Sequence, residues 1–561
     1  MYKWLLIALL PVMVSAQDKK DNSPALGSMK WRNLGPALTS GRVADLAVNP
    51  QNPHQYYVAA ASGGVWKTEN RGVSFAPIFD KENSYSIGVV EINPHNPHEI
   101  WVGTGENNDQ RSVAYGDGLY RSRDGGKSWE HLGLKESEHI GMIAFHPEKP
   151  GVVYVAAYGP LWRKGGQRGI YKTTDGGESW ERILAVSEHT GFNEIHLDPR
   201  HPETLYATAH QRRRHVWTYV SGGPESALYK STDGGASWRE LKNGLPNGDK
   251  GRIGLALAPA NPDRLYAMIE GHGVYRSDDR GAHFQKVNDY NSSGNYYVEL
   301  VPHPTDVNTL YSLDTYLQVS RDGGESWTGA PRAKRHVDDH ALWINPEDPR
   351  HMIVGCDGGV YDTYDAGAHW HFKPNLPITQ FYRVAVDNAR PFYHVYGGTQ
   401  DNFSLGGPSQ TINDRGIVNS DWYITNTGDG FETQIDPKNP DIVYAQAQYG
   451  WLVRYDKVSG ESVGLKPTPP ADSAAYRWNW DAPLLISPHD HETLYFAANK
   501  VFRSRDRGQH WDIISPDLTR ERNRHEIPVM GEIQSVDAIS YDRSTSIYGN
   551  IVALDESPLV E

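Results

Sequence analysis

Apolar positions along this chain fall in short runs broken by turn residues, a spacing that predicts strands rather than helices. Seven segments share one order: an apolar run, a doubled proline turn and a second apolar run. They are VNPQNPHQYYVAA from 48, INPHNPHEIWVGT from 92, FHPEKPGVVYVAA from 145, LDPRHPETLYATA from 197, LAPANPDRLYAMI from 257, INPEDPRHMIVGC from 344 and IDPKNPDIVYAQA from 435. Proline fixes φ and has no N–H to give a ladder, so each turn marks a break between two strands. A third strand of the kind GVWKT, GLYRS or GIYKT follows, and then a second turn.

That second turn is an octet, S/T-x-D-x-G-x-x-W/F, starting at 68 (with Asn70 in place of the Asp), 122, 173, 231, 277, 320, 363 and 504. The interval from 363 to 504 fits three periods, so two units there lack the octet but keep the spacing. Asp124, Asp175, Asp233, Asp279, Asp322, Asp365 and Asp506 are placed to accept backbone N–H groups of their own turns. Glycine supplies positive φ, and Trp129, Trp180, Trp238, Trp327, Trp370 and Trp511 are placed to fill the gap between neighbouring sheets. The octet is therefore expected to be structural. Four short strands per unit of about 45 residues is the length of one propeller blade. The fold class is all-β, a β-propeller of four-stranded blades. A seven-bladed ring is expected over residues 31–375 and part of a second over 376–561, with a single ten-bladed ring as the alternative. WRNLGP at 31–36 reads as a fourth strand without its blade, able to complete the final one. SIYGNIVALDESPLVE reads as the start of an eleventh unit, so the natural chain is expected to continue beyond Glu561.

Composition narrows the setting. A net charge of −14 argues against general nucleic-acid binding, which needs a basic face. The start, MYKWLLIALLPVMVSAQ, has the layout of a signal peptide (residues 1–16) cut after Ala16, and its apolar run is too short to span a bilayer. Export to the periplasm or the exterior without membrane insertion is expected, with oligomeric state left open. With Cys356 the only cysteine, no intrachain disulfide can form.

The octet resembles the Asp-box, or bacterial neuraminidase repeat, of sialidases, family-74 glycoside hydrolases and the sortilin ectodomain. GTGENN at 103, HALW at 340, GGTQDN at 397 and SPHD at 487 look like a bacterial group of secreted sortilin-like proteins often labelled glycosyl hydrolases. A sialidase is not supported, because no F/Y-R-I-P string occurs. The family-74 resemblance implies one catalytic Asp per propeller and an inverting mechanism. Ala61 stands where the first Asp is expected, and Asp401 stands at the comparable place in the second ring.

Propeller geometry puts the proline turns and octets on one face and the long second-to-third strand insertions on the other, where function is expected. Those insertions offer Glu106, Asn107, Asp109 and Arg111; then Trp162, Arg163 and Lys164; then Arg212, Arg213, Arg214 and Trp217. Asp338, His340, Asp357, Gln400, Asp401 and Asn402 also follow or line strand ends and complete the candidate ligand-binding set. Asp401, Glu106 and Asp429 are the candidate acids. His336, Asp338 and His340 alternate in HVDDHALW and would share one strand face. That pattern suits a metal, but polar residues facing a wet channel explain it as well, and no cofactor or metal is expected. The leading expectation is binding of a glycan or peptide on the insertion face, as in sortilin; the alternative is a glycoside hydrolase with paired carboxylates between two rings, and the second alternative an envelope assembly scaffold.

Overall fold

The computed structural model describes residues 32–35, 38–109, 113–331, 334–543 and 545–560. The signal-peptide segment and Arg111 lie outside the described residues. Among the described residues, ten antiparallel sheets follow one another, each with its main strands in sequence order. The first runs Val43–Val48, Tyr56–Ala60, Gly64–Thr68 and Ala76–Pro77. The fourth carries a short additional strand, Tyr219–Ser221, paired to an extension of His201–Arg214.

Closure is visible in the core. Val43–Val48 packs against Ile87–Ile92 of the second sheet and against Asp339–Ile344 of the seventh. One apolar cluster joins Val43, Tyr56 and Val58 to Ile353 and Val360. The ring therefore closes after seven blades, and the ten-bladed alternative is excluded because the first sheet's free side is already covered. Sheets eight to ten stack in turn, Gly430–Ile435 lying between His394–Gly398 and Leu484–Ile486.

The octets do mechanical work. Asp124 Oδ1 accepts from Ser122 Oγ at 2.8 Å and from the amides of Lys127 and Ser128 at 2.9 and 3.0 Å. Gly125 and Gly126 take φ of 74° and 92°, where a side chain is strained. The Trp129 indole donates to Ile78 O of the preceding blade at 2.7 Å, and Trp180 to Leu132 O at 2.8 Å. Trp129 and Trp180 thus bond backward by one blade, whereas the Trp238 and Trp327 indoles donate to Gly235 O and Gly324 O of their own octets, and Phe75 packs on the cluster shared by the first and seventh blades. Gly125 N bonds His98 O at 2.8 Å, tying octet to proline turn on one face.

Three local expectations are corrected. Residues 32–35 form no strand; Arg32 Nη2 donates to Ser409 O at 2.5 Å and the Trp422 indole to Leu34 O at 3.2 Å, against the eighth sheet. The tenth sheet already has its own fourth strand, Asp512–Ile513, so it offers no vacancy for WRNLGP. The segment after it crosses the fourth and fifth blades, where Asp542 N donates to Tyr219 O at 3.0 Å. It returns to lie along the tenth sheet, Ile551 N to Ala498 O at 2.8 Å, without forming a ladder. Finally, the strand in HVDDHALW begins only at Asp339, and Asp338 takes φ of 65°, so His336, Asp338 and His340 do not share a strand face.

Candidate functional site

On the face opposite the octets, acids from three other blades and a tyrosine from an inter-blade link converge on one guanidinium. Arg42 precedes Val43–Val48 and is only 2% exposed. Its Nε and Nη2 donate to Asp357 Oδ1 and Oδ2 at 2.8 and 3.0 Å, and its Nη1 to Glu106 Oε1 at 2.6 Å. Nη2 also reaches Asp401 Oδ2 at 3.2 Å and the Tyr296 hydroxyl, whose ring lies under the guanidinium at 4.7 Å. Asp357 follows Met352–Cys356 and Asp401 follows His394–Gly398, so the two acids come from the seventh and eighth blades. Tyr296 and Tyr297 lie in the link before Glu299–Pro302.

The surrounding groups fix Asp357 from every side. His340 Nε2 stands 2.8 Å from its Oδ1, and the Tyr296 hydroxyl donates to its Oδ2. The His340 ring is held between Tyr296 and Tyr297, with centroids at 4.5 and 5.5 Å. Tyr297 in turn donates to Asp338. Asn402 Nδ2 donates to Asp357 O at 2.8 Å, Gln400 Nε2 to Asp401 Oδ2 at 2.8 Å and Asn108 Nδ2 to Glu106 Oε1 at 2.6 Å.

This environment splits the two aspartates. Burial pushes the Asp357 carboxyl up, but Arg42 and His340 overcome it and hold the group well below the usual range. Asp401 moves the other way: burial first, then the negative charge of Asp357 to which it hydrogen-bonds, push it well above. Burial, with the charge of Asp357 behind it, raises Asp338 to about 6. Two like charges in contact oppose each other's ionisation, and of the pair it is Asp401 whose carboxyl is pushed up. Asp401 is also the acid of this trio that reaches solvent, its side chain 21% exposed against 1% for Asp357 and 0% for Glu106. Its backbone sits at φ of 59°, and nearby Phe403 at 76°, an arrangement that costs about 1–3 kcal/mol per residue and clusters at working sites.

The structure thus gathers Glu106, Asp338, His340, Asp357, Gln400, Asp401 and Asn402 in one place. Asp429 adjoins it, its carboxylate accepting from Gln448 Nε2 at 3.0 Å. Asn107 instead lines a cavity of about 190 Å³ in the ring's central channel, with Asp45, Glu194, Glu299 and His340. Among the described residues, no group of three or more His, Cys, Asp or Glu is arranged to hold a metal ion.

Asp109, Trp162, Arg213 and Trp217 belong elsewhere, and the basic run is no open loop. Arg212, Arg213 and Arg214 end strand His201–Arg214 and are 0%, 4% and 1% exposed. Arg212 lies 3.4 Å from the Tyr158 ring and pairs with Asp109, which is itself fully buried and accepts from the Tyr219 hydroxyl at 2.7 Å. Burial of flat guanidiniums on tyrosine faces turns this insertion into a hairpin. Trp162 remains 44% exposed on a groove of about 460 Å³, and Trp217 stacks on His215 at 4.5 Å. Sequence reasoning missed Arg42, Tyr296 and Tyr297, which carry no motif. The buried Ala61, placed by resemblance at the first catalytic position, bonds Arg42 O through its N–H at 3.0 Å.

Residues 117–247 match the family described as Sortilin-Vps10, "Sortilin, neurotensin receptor 3". A xyloglucanase of Hypocrea jecorina is 25% identical over 352 residues, covering 58% of this chain and 38% of that protein. An oligoxyloglucan-reducing end-specific xyloglucanase of Emericella nidulans is 26% identical over 256 residues, covering 37% and 30%. The chain spans less than half the length of these curated relatives. In fold it is similar to the family-74 xyloglucanase of Xanthomonas campestris, at a TM-score of 0.53, 13% identity and coverage of 86% and 81%. The family-74 enzyme of Niastella koreensis superposes at a TM-score of 0.56, 14% identity and coverage of 87% and 74%. The chain is accordingly an Asp-box β-propeller similar to the sortilin and family-74 groups.

Proposed function

We propose that this is an exported glycoside hydrolase that takes a polysaccharide of the β-glucan type across the junction of the seven-bladed ring and the blades that follow. The observation that carries this is the place of Asp401: it hydrogen-bonds Asp357, burial and that neighbouring charge push its carboxyl well above the usual range, and its side chain is still partly open to solvent. A protonated acid in that position is suited to give its proton to a glycosidic oxygen as the C–O bond breaks; water supplies the hydroxyl that replaces the leaving sugar and the proton that restores the acid. Xyloglucanase relatives support a glucan substrate. The direct contact between Asp357 and Asp401 rules that pair out as acid and base across a sugar, since inversion needs about 6.5–9.5 Å between the two carboxyls and retention about 5–5.5 Å. Asp357 therefore serves to hold the proton on Asp401. The leader-like start supports export, to the periplasm or beyond.

Incubation with xyloglucan and a panel of β-glucans, followed by a reducing-end assay, tests the proposal. Hydrolysis that falls at least a hundredfold in Asp401→Asn supports it, and cleavage unaffected by that change rejects Asp401 as the acid. A second reading, binding without cleavage, is favoured by one observation: Ala61 occupies the position where the resemblance asks for the partner acid. Retardation on a glucan affinity gel with no released reducing ends would select it.

A further inference from the structure

On the insertion face of blades three and four, away from Arg42, lies a buried cation without a direct ion pair, reached only at a distance by the charge of Glu188. Arg213 is 4% exposed and forms no ion pair with any described carboxylate. Its Nη2 meets only His189 Nδ1, at 3.3 Å, and its buried Nε has no partner. Burial holds His189 below its ordinary value, with the charge of Arg213 adding to the shift, and an imidazole, neutral or protonated, supplies no negative charge. Arg168, 2% exposed, is lowered by burial and then by the charge of Arg213, and is satisfied wholly by carbonyls: Gly165 O and Arg163 O at 2.8 Å, Tyr158 O at 2.9 Å and Pro160 O. The carboxylates nearby are committed. Glu138 binds Arg163 at 2.7 Å, Glu188 binds Lys164 at 2.8 Å, and Glu225 accepts from Ser187 and Thr190. The Trp217 indole N–H, four residues from Arg213 on the hairpin, is also buried without an acceptor. Arginine is rarely left buried and uncompensated, because its charge is then costly.

We propose that Arg213 is the centre of an oxyanion-binding site between the insertions of blades three and four. It takes a carboxylate or sulfate group, either free in solution or carried by an acidic sugar. The planar fork of the guanidinium suits two oxygens of one such group. The site stands independently of the hydrolase reading, since it shares no residue with the Arg42 cluster.

Titration with inorganic sulfate and with glucuronate in low-chloride buffer, followed by calorimetry and thermal melting, tests it. Saturable binding of either probe, weakened at least tenfold in Arg213→Met and less in Arg213→Lys, is expected. Sulfate alone would assign a free inorganic anion, and glucuronate binding more tightly would assign an acidic glycan. Arg213→Met should also melt at or above the wild-type temperature without anion and lose the sulfate-induced rise. Should that variant not fold, the exposed Arg163→Gln change, which removes a neighbouring positive charge, should still weaken binding severalfold. Absence of saturable binding by both probes, or equal binding by wild type and Arg213→Met, overturns the site.

Discussion

Arg42 and Asp357 stand 315 positions apart in the sequence and meet in a buried two-pronged ion pair at 2.8 and 3.0 Å. Arg42 starts the first blade and Asp357 ends a strand of the seventh, so the pair forms only where the ring closes. Arg42→Met should be strongly destabilising, by about 3–5 kcal/mol, because it strands the buried Asp357 and Glu106 carboxylates. Arg42→Lys, which keeps the charge but loses the fork, should cost less. Thermal melts of the two variants check the order, and equal melting temperatures would contradict it.

Asp401 predicts a pH dependence of stability. Its carboxyl is raised in the folded state, so the folded chain holds a proton that the unfolded chain releases. The stabilising contribution is full below the ordinary carboxylate pKa and is lost as pH rises toward the raised value, each unit being worth about 1.4 kcal/mol. Asp401→Asn cannot ionise, and its melting temperature should fall less than that of wild type between pH 5 and pH 9.

The central channel adds a second acid set with the same sign. Burial pushes Asp45 up to about 7; burial and then the charge of Asp45 push Glu91 to about 8; burial pushes Glu299 to about 7 against the opposing charge of Arg252. Stability from these groups is complete below about pH 4 and declines through pH 7–8. Glu91→Gln should flatten the upper part of that decline in melts taken at half-unit pH steps. A slope unchanged from wild type would remove Glu91 from the account.

The octet should be separable from function. Trp129 packs on Phe79 at 5.0 Å and donates to Ile78 O across the blade gap. Trp129→Ala should cost about 2–4 kcal/mol, since the ring is partly rather than wholly buried. Glucan binding by the folded fraction should stay at the wild-type level, because the octets lie on the opposite face. Lowered affinity at saturating folded protein would argue for coupling between the faces.

Much of the candidate site was legible one residue at a time. Glu106, Asp338, His340, Asp357, Gln400, Asp401 and Asn402 follow or begin strands, and the blade rule sends such positions to the insertion face. That same rule misassigned the basic run, because a loop and a strand extension look alike when arginines can bury their guanidiniums on tyrosines such as Tyr158 and Tyr219. Arg42, Tyr296 and Tyr297 left no signal, since each is an unremarkable residue at the edge of an apolar run.

By itself the sequence determined the blades: strand breaks at the proline pairs, the octet hairpins, the period and the all-β class. These follow from local chemistry, where proline, glycine and aspartate dictate turns within a few residues of themselves. The tertiary structure decided that the ring closes at seven, that Arg42 binds three acids from three other blades, and that the carboxyl pushed up is that of Asp401 rather than Asp357. Each of those depends on contacts between residues far apart in the chain, and on the burial and charge that only the assembled ring creates.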